Sequence, residues 1–182
     1  TRPRSQDQLE DKQISDALLN NDKERAENLM IVDLVRNDFS KVSEIDSVVT
    51  EKLFELKSFS SVHQLVSTVK SKLASNFSVL EAIQSLFPAG SMTGAPKHSA
   101  VSFLAGIEKA PRGFYSGAFG WIANNGDSEL AMTIRSILIE NDECSIGVGG
   151  GITWGSEPEA EYQEMQLKAK ALIETIQGEV SW

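Results

Sequence analysis

Cysteine occurs once in the 182 residues, at Cys144, which excludes an internal disulfide and any cysteine-based zinc cluster. That thiol stands beside Glu143, with no base or basic helix end in the sequence to activate it. Histidine occurs only twice, as His63 and His98, and nothing around either one reads as a Ser/His/Asp arrangement. Basic residues are the scarcer charge. Lys and Arg total 17 against 26 Asp and Glu, a formal net charge of -9, which argues against binding to a nucleic-acid backbone. No apolar run approaches the ~20 residues that a bilayer-crossing helix needs, and no signal-peptide pattern opens the chain. The expectation is a protein of a reducing compartment, cytoplasmic and without a membrane partner. An initiator Met is missing too. The chain opens Thr1-Arg2-Pro3-Arg4, so a processed product or a piece of something longer is expected.

What is present is ordinary globular composition, 41% hydrophobic and 24% charged. There is no fixed-period repeat, low-complexity tract or linker, and the length suits one domain or a large piece of one. Residues 6–20 read as a solvated helix, with Leu9, Ile14 and Leu18 on one side. Residues 22–38 read as a second helix capped by Asp22, and the apolar run from Leu29 to Val35 predicts burial on most sides. One or two short strands are expected over 47–58, then helices over 61–74 and 78–87, the latter capped by Ser78. A breaker-rich loop over 87–97 feeds a helix at about 96–108. Strands are expected over 114–123, 128–140 and 143–153, with hairpin signals at 124–127 and 141–142. A last amphipathic helix over 157–177 carries Met165, Ala169, Leu172 and Ile176 as its buried stripe. The pattern is a mixed chain with an antiparallel meander in its second half.

Four constellations could carry chemistry. Glu24 and Glu27 stand three apart on one expected helix, Glu161 and Glu164 on another, so each pair projects from one helix face. Facing each other, the pairs would offer four oxygen donors suited to Mg²⁺ or Mn²⁺. The competing reading is a pair of solvated acidic faces. Glu27 shares its side with Ile31 and Leu34, and Lys168 stands one turn beyond Glu164; a carboxylate in a core must be paired, protonated or coordinated. Second, Gly147-Val148-Gly149-Gly150-Gly151 ends a strand and suits either an anion cradle or a tightly packed bulge. Its spacing is neither a Rossmann fingerprint nor a P-loop. Third, Ser91 and Thr93, with Gly94, precede a helix N-terminus, either as a capped loop or as a site for polar ligand atoms. Fourth, Arg135 falls in mid-strand between Ile134 and Ile137, where it faces solvent or grips a carboxylate that Tyr115 could share.

Taken in order, ERAENLMIVDLVRND (24–38), VHQLVSTV (62–69), GSMTGAPK (90–97), GFYSGAFGW (113–121), AMTIRS (131–136) and GGGITWGSEPEAEYQE (149–164) closely resemble the C-terminal part of the chorismate-utilising enzymes. That is the family of anthranilate synthase component I and 4-amino-4-deoxychorismate synthase component I. The resemblance implies an α+β fold: the C-terminal portion of the chorismate-binding α/β sandwich, an antiparallel sheet packed with helices, with residues 1–182 as a fragment lacking the N-terminal part. By resemblance Glu24, Glu27, Glu161 and Glu164 hold Mg²⁺, with Glu27 and Glu164 as direct ligands. Gly149, Gly150 and Gly151 resemble the backbone site for the ring carboxylate of chorismate, and Tyr115 and Arg135 the grip on its enolpyruvyl carboxylate. Ser91 and Gly94 match the loop lining the reacting side of the ring, so Ser91 and Lys168 are the implied catalytic side chains.

One position departs from the pattern. Anthranilate synthases commonly have His directly before Leu-Val-Ser, and here that position is Gln64, with His63 before it. Gln cannot act as a general acid. The departure suits the aminodeoxychorismate branch, which implies amination of chorismate at C4 toward folate, with ammonia from a glutamine amidotransferase subunit or domain. Members of that branch carry Pro-Ile-Lys-Gly-Thr, and Thr1 would match its final residue. The rival readings are anthranilate synthase component I, which also eliminates pyruvate, and an inert metal-binding fragment. Since the family's site draws on N-terminal segments, the isolated chain is not expected to turn chorismate over.

Overall fold

Side-chain caps start the helices of the first half where the sequence offers short polar residues. In the computed structural model, which describes residues 1–141 and 143–178, Asp7 accepts from the Glu10 N–H at 2.9 Å and opens α1 (Gln8–Leu19). Asn21, one residue before the expected cap, accepts from the Glu24 N–H and opens α2 (Asp22–Ser40). Ser78 and Glu81 form a reciprocal capping box at the start of α3 (Val79–Leu86). The chain gathers into two compact units, Thr1–Ser102 and the residues from Phe103 on.

The first unit is built on a three-stranded antiparallel sheet in the order β1-β3-β2, from β1 (Arg2–Pro3), β2 (Val49–Ser58) and β3 (Val62–Lys70). The helix expected over 61–74 is therefore a strand. Leu65, Val69 and Leu73 match a helical period, but Val62, Val66, Thr68 and Val69 are β-branched; Val62 pairs with Pro3 of β1, and Val66, Thr68 and Val69 with Glu55, Lys52 and Thr50 of β2. β2 is irregular between Lys52 and Glu55, where Phe54 takes a φ of 56°. The Phe54 N–H then donates to Ser67 Oγ at 3.0 Å, and its ring lies 4.9 Å from the Arg25 guanidinium. The strand kink thus aims an aromatic ring at α2.

Leu18, Val32 and Val42 are the buried apolar residues of this unit. α2 is not buried on most sides. Val32 is covered, whereas Leu29 and Met30 are 43% and 40% exposed, because the helix lays one face on the sheet and leaves the other open. The loop over 87–97 contains one short turn of helix, α4 (Gly90–Thr93), before α5 (Lys97–Ile107). A Cβ on Gly90 would lie 2.3 Å from Leu34 Cδ2, so only glycine lets α4 sit this close to α2.

The second unit carries two separate hairpins rather than one meander: β4 (Ala118–Ile122) with β5 (Ser128–Met132), and β6 (Ile137–Glu140) with β7 (Glu143–Ile146). The first turns at 124–127, where Asn125 Oδ1 accepts from the Asp127 N–H; of the second signal, Asp142 lies outside the described residues. The strand expected from 114 begins only at Ala118, since the N–H groups of Tyr115 and Gly117 close turns on the Arg112 and Phe114 carbonyls. The strand expected over 128–140 breaks at Arg135, whose φ is 53°, and the one over 143–153 ends at Ile146. α6 (Pro158–Ile176) has Pro158 in its first turn and buries Ala169, with Met165, Leu172 and Ile176 half-buried beside it. Helices with antiparallel sheets make an α+β chain. Among the described residues no helix is long and apolar enough to cross a membrane.

Candidate functional site

In the first unit one side of α2 and the face of β3, with Thr1 and Leu86 at the margins, line an open cavity of about 490 Å³. Its walls are apolar, from Ile31, Val32, Val35, Leu65, Val69 and Leu86, and Glu24, Glu27, Asn28 and Ser67 supply the polar atoms. The i, i+3 spacing does put both carboxylates on this one side of α2. Both are half-buried and have cations at hand. Arg2 Nη2 lies 2.8 Å from Glu24 Oε1, and Lys23 Nζ lies 3.9 Å from Glu27 Oε1. Ser67 Oγ donates to Asn28 Oδ1 at 2.5 Å, tying strand to helix under the cavity. The sequence reading missed Arg2, Asn28 and Ser67 as neighbours of the acidic pair; the alternation of Leu65, Ser67 and Val69 was the available signal.

Gln64 is exposed, and alternation along β3 puts it on the sheet face opposite Leu65 and Ser67, away from this cavity. His63 is buried and committed elsewhere. Its Nδ1 shares a hydrogen bond with Ser58 Oγ at 2.8 Å and its Nε2 with Asp11 Oδ1 at 3.0 Å, so a Ser–His–Asp chain does exist here. It is a fastening rather than a catalytic relay. Asp11 is held by Arg4 through Nε and Nη2 at 2.7 to 2.9 Å, and also accepts from the Ser5 N–H. The Arg4 hydrogen bond, then those from Ser5 and His63, hold the Asp11 carboxyl far below the usual carboxylate range.

Ser91 is exposed on α4, and Gly94 closes that turn with a φ of 130°, which explains the glycine. Thr93 spends its hydroxyl proton on the Ala89 carbonyl at 3.2 Å, so it reads as structural.

The second unit brings together residues that are far apart in sequence. Tyr115 lies against the glycine run: a Cβ on Gly147 would come within 2.2 Å of the Tyr115 ring, and one on Gly149 within 2.7 Å of its hydroxyl. On the other side of the run, a Cβ on Gly150 would lie 3.4 Å from Glu161 Oε2 and 4.0 Å from Lys168 Nζ. Lys168 Nζ donates to the Gly149 carbonyl at 3.2 Å and pairs with Glu164 Oε1 at 2.7 Å. Glu161 accepts from Ser156 Oγ at 2.6 Å. The glycine loop after β7 thus lies beside a phenol, an ammonium and two carboxylates, while a Cβ on Gly151 would meet nothing within 4 Å. The missed contributors are Ser156, which aims Glu161, and Arg112. The Arg112 guanidinium lies 5.9 Å from the Tyr115 ring centre and donates to Ser116 Oγ and to both Glu108 carboxylate oxygens. That pairing holds the Glu108 carboxyl below its ordinary range.

Arg135 is placed differently from the mid-strand position expected of it. It occupies a left-handed turn between β5 and β6, exposed, and makes no hydrogen bond or ion pair among the described residues. Polar Thr133 and Ser136 flank the break: Thr133 Oγ1 donates to the Phe114 carbonyl and Ser136 Oγ to the Ile134 carbonyl.

The two acidic pairs belong to different units, Glu24 and Glu27 to the first, Glu161 and Glu164 to the second. Within either unit, among the described residues, no three His, Cys, Asp or Glu side chains stand together as a metal site. Each pair offers only oxygen donors: Glu24, Glu27 and Glu161 are half-buried, and Glu164 is exposed. Oxygen donors of this kind suit a hard divalent ion.

A family model described as chorismate binding enzyme matches residues 1–174. The chain is 45% identical over 176 residues to an aminodeoxychorismate synthase of Streptomyces pristinaespiralis, covering 97% of this chain and 24% of that protein. To anthranilate synthase component 1 of Methanothermobacter marburgensis it is 41% identical over 177 residues, covering 97% of this chain and 38% of that one. Among solved structures, anthranilate synthase component I from Streptococcus pneumoniae TIGR4 matches with a TM-score of 0.84 at 38% identity, over 90% of this chain and 38% of that chain. The chain therefore spans about a quarter to two fifths of the length of these relatives.

Proposed function

Because the chain belongs to the chorismate binding enzyme family, we propose that it supplies most of a chorismate site, in a protein that aminates chorismate at C4 to 4-amino-4-deoxychorismate. The observation that carries this reading is the convergence of Tyr115, Gly149, Gly150, Glu161, Glu164 and Lys168 at the glycine loop after β7. Chorismate is a dicarboxylate, and an acidic protein must gather it through local cations and backbone N–H groups. Tyr115 and Arg135 take the enolpyruvyl carboxylate. Lys168, beside the Gly149 carbonyl, meets the ring carboxylate, and Ser91 with Gly94 borders the reacting face. Glu24, Glu27, Glu161 and Glu164 hold Mg²⁺, which when bound supplies Lewis acidity toward the ring carboxylate.

In the reaction a C–N bond forms at C4 and the C4–O bond breaks. The hydroxyl leaves with a proton as water, and the enolpyruvyl ether is retained. The nitrogen comes from ammonia released by a glutamine amidotransferase subunit or domain. The 45% identity to an aminodeoxychorismate synthase, and Gln64 where the anthranilate branch commonly has His, support the aminating assignment.

The test replaces the matched 176 residues of the Streptomyces pristinaespiralis protein with this chain and assays the chimaera with chorismate, Mg²⁺ and ammonium. Aminodeoxychorismate without pyruvate is expected. Anthranilate with equimolar pyruvate would assign the chain to the other branch. A fully folded chimaera that forms neither product would remove the catalytic reading.

A further inference from the structure

We infer that Lys97 is a positioning residue: its ion pair with buried Asp38 fixes the loop bearing Ser91 and Gly94 onto the helix that carries Glu24 and Glu27. The inference rests on the reading of Ser91 and Gly94 as the border of the chorismate site. It starts from a buried charge that this reading leaves unused. Asp38 lies near the C-terminal end of α2 and is 2% exposed, and a carboxylate in that position requires partners. Lys97 Nζ stands 2.5 Å from its Oδ2 and Lys41 Nζ 2.9 Å from its Oδ1. The two lysines are not equivalent. The Lys41 side chain is 55% exposed and reaches back along its own helix, whereas that of Lys97 is 17% exposed and comes from α5.

Lys97 also donates to the Leu86 carbonyl at 3.0 Å, at the end of α3. Ser85 Oγ donates to the Asp38 carbonyl at 2.6 Å. One buried node therefore joins α2, the end of α3 and the start of α5. The segment between α3 and α5 is the loop with α4, Ser91 and Gly94, so both of its ends are tied to the same turn of α2. Its middle is tied as well, through the contact of Gly90 with Leu34. The loop is thus attached to α2 at three points. The acidic pair sits on that same helix, eleven residues before Asp38 in the case of Glu27, or about 16 Å along the axis. The node thus sets the distance between the metal-ligand candidates and the loop, from the opposite end of α2.

Lys97→Met, Lys97→Arg and the double variant Asp38→Asn/Lys97→Met are compared with the wild-type chain in three measurements. These are calorimetric titration with chorismate at saturating Mg²⁺, titration with Mg²⁺ alone, and amide hydrogen exchange. For Lys97→Met the chorismate dissociation constant is expected to rise about tenfold or more, as displacement of a positioned group predicts. Exchange should quicken over 90–94 while β2 and β3 keep their protection, and the Mg²⁺ affinity should be unchanged. Lys97→Arg, which keeps the charge and two-point donation, should restore most of the affinity. If Lys97→Met alone does not fold, the double variant, which removes both charges, decides by the same readings. Wild-type chorismate affinity in either folded variant overturns the inference. So does an equal loss of Mg²⁺ binding with faster exchange throughout the unit, which marks a general structural role. A wild-type chain that takes up no chorismate overturns the site reading itself, and this role with it.

Discussion

At the scale of single residues, the firmest interactions of the first unit fasten it rather than form its candidate site. Asp11 accepts from Arg4, from the Ser5 N–H and from His63, and the buried imidazole passes the connection on to Ser58. The carboxyl is depressed in the folded chain, so its contribution is complete above the ordinary carboxylate range near pH 4 and fades as pH falls below it. Asp11→Asn should therefore be less stable than wild type at neutral pH and lose less on acidification. Urea midpoints at pH 7 and pH 3 measure this, and parallel losses would show that Asp11 is not the titrating group. In the second unit Gly147 has no room for a side chain, because Tyr115 occupies it. Gly147→Ala should cost about 1–3 kcal/mol by overpacking, and Tyr115→Ala in the same chain should recover most of it. Chemical denaturation of the single and double variants reads this directly; additive losses would mean the two do not touch. The sequence could name Gly147 and Tyr115 as candidates. That one fills the space left by the other is a long-range fact that no spacing encodes.

At the scale of elements, what was legible in the sequence followed local chemistry. Ser78 with Glu81 and Pro158 begin helices where capping rules place them, and the turn at 124–127 lies between two paired strands. β3 was misread because Leu65, Val69 and Leu73 satisfy a helical period by accident. The β-branched residues and the partner β2 decide in favour of a strand. The break at Arg135 was also hidden, since Ile134 and Ile137 on either side have high strand propensity and the hydrogen bonds of Thr133 to Phe114, Ser116 and Gly117 that mark the corner are long-range. α1 illustrates how narrow the local margin is. It is polar over most of its surface, and Leu18, 1% exposed, is its one buried residue. Leu18→Ala should cost about 2–5 kcal/mol, the range for emptying a buried leucine site. A change below about 1 kcal/mol in urea unfolding would place the core of this unit elsewhere.

At the scale of the whole molecule, a chain of net charge -9 is read as a binder of a dicarboxylate, which requires cations exactly where the substrate lies. Arg2 beside Glu24, Lys23 near Glu27 and Lys168 beside Glu164 are local cations at the acidic pairs. The sequence disclosed each acidic pair through its i, i+3 spacing, because a helix face is a local property. It also disclosed Lys168 one turn beyond Glu164, but not Arg2, which reaches Glu24 from β1, or Ser156, which donates to Glu161. The proposal to be tested is that the four carboxylates hold a divalent ion that bound chorismate shares. Linkage gives the sharpest test: if Mg²⁺ and chorismate bind one coupled site, each must tighten the other by the same factor. Calorimetric titration of the chain with chorismate at increasing Mg²⁺, and with Mg²⁺ at increasing chorismate, is predicted to give equal, reciprocal increases in affinity that Glu27→Gln and Glu164→Gln each abolish. Chorismate affinity independent of Mg²⁺, in wild type and variants alike, would contradict the account.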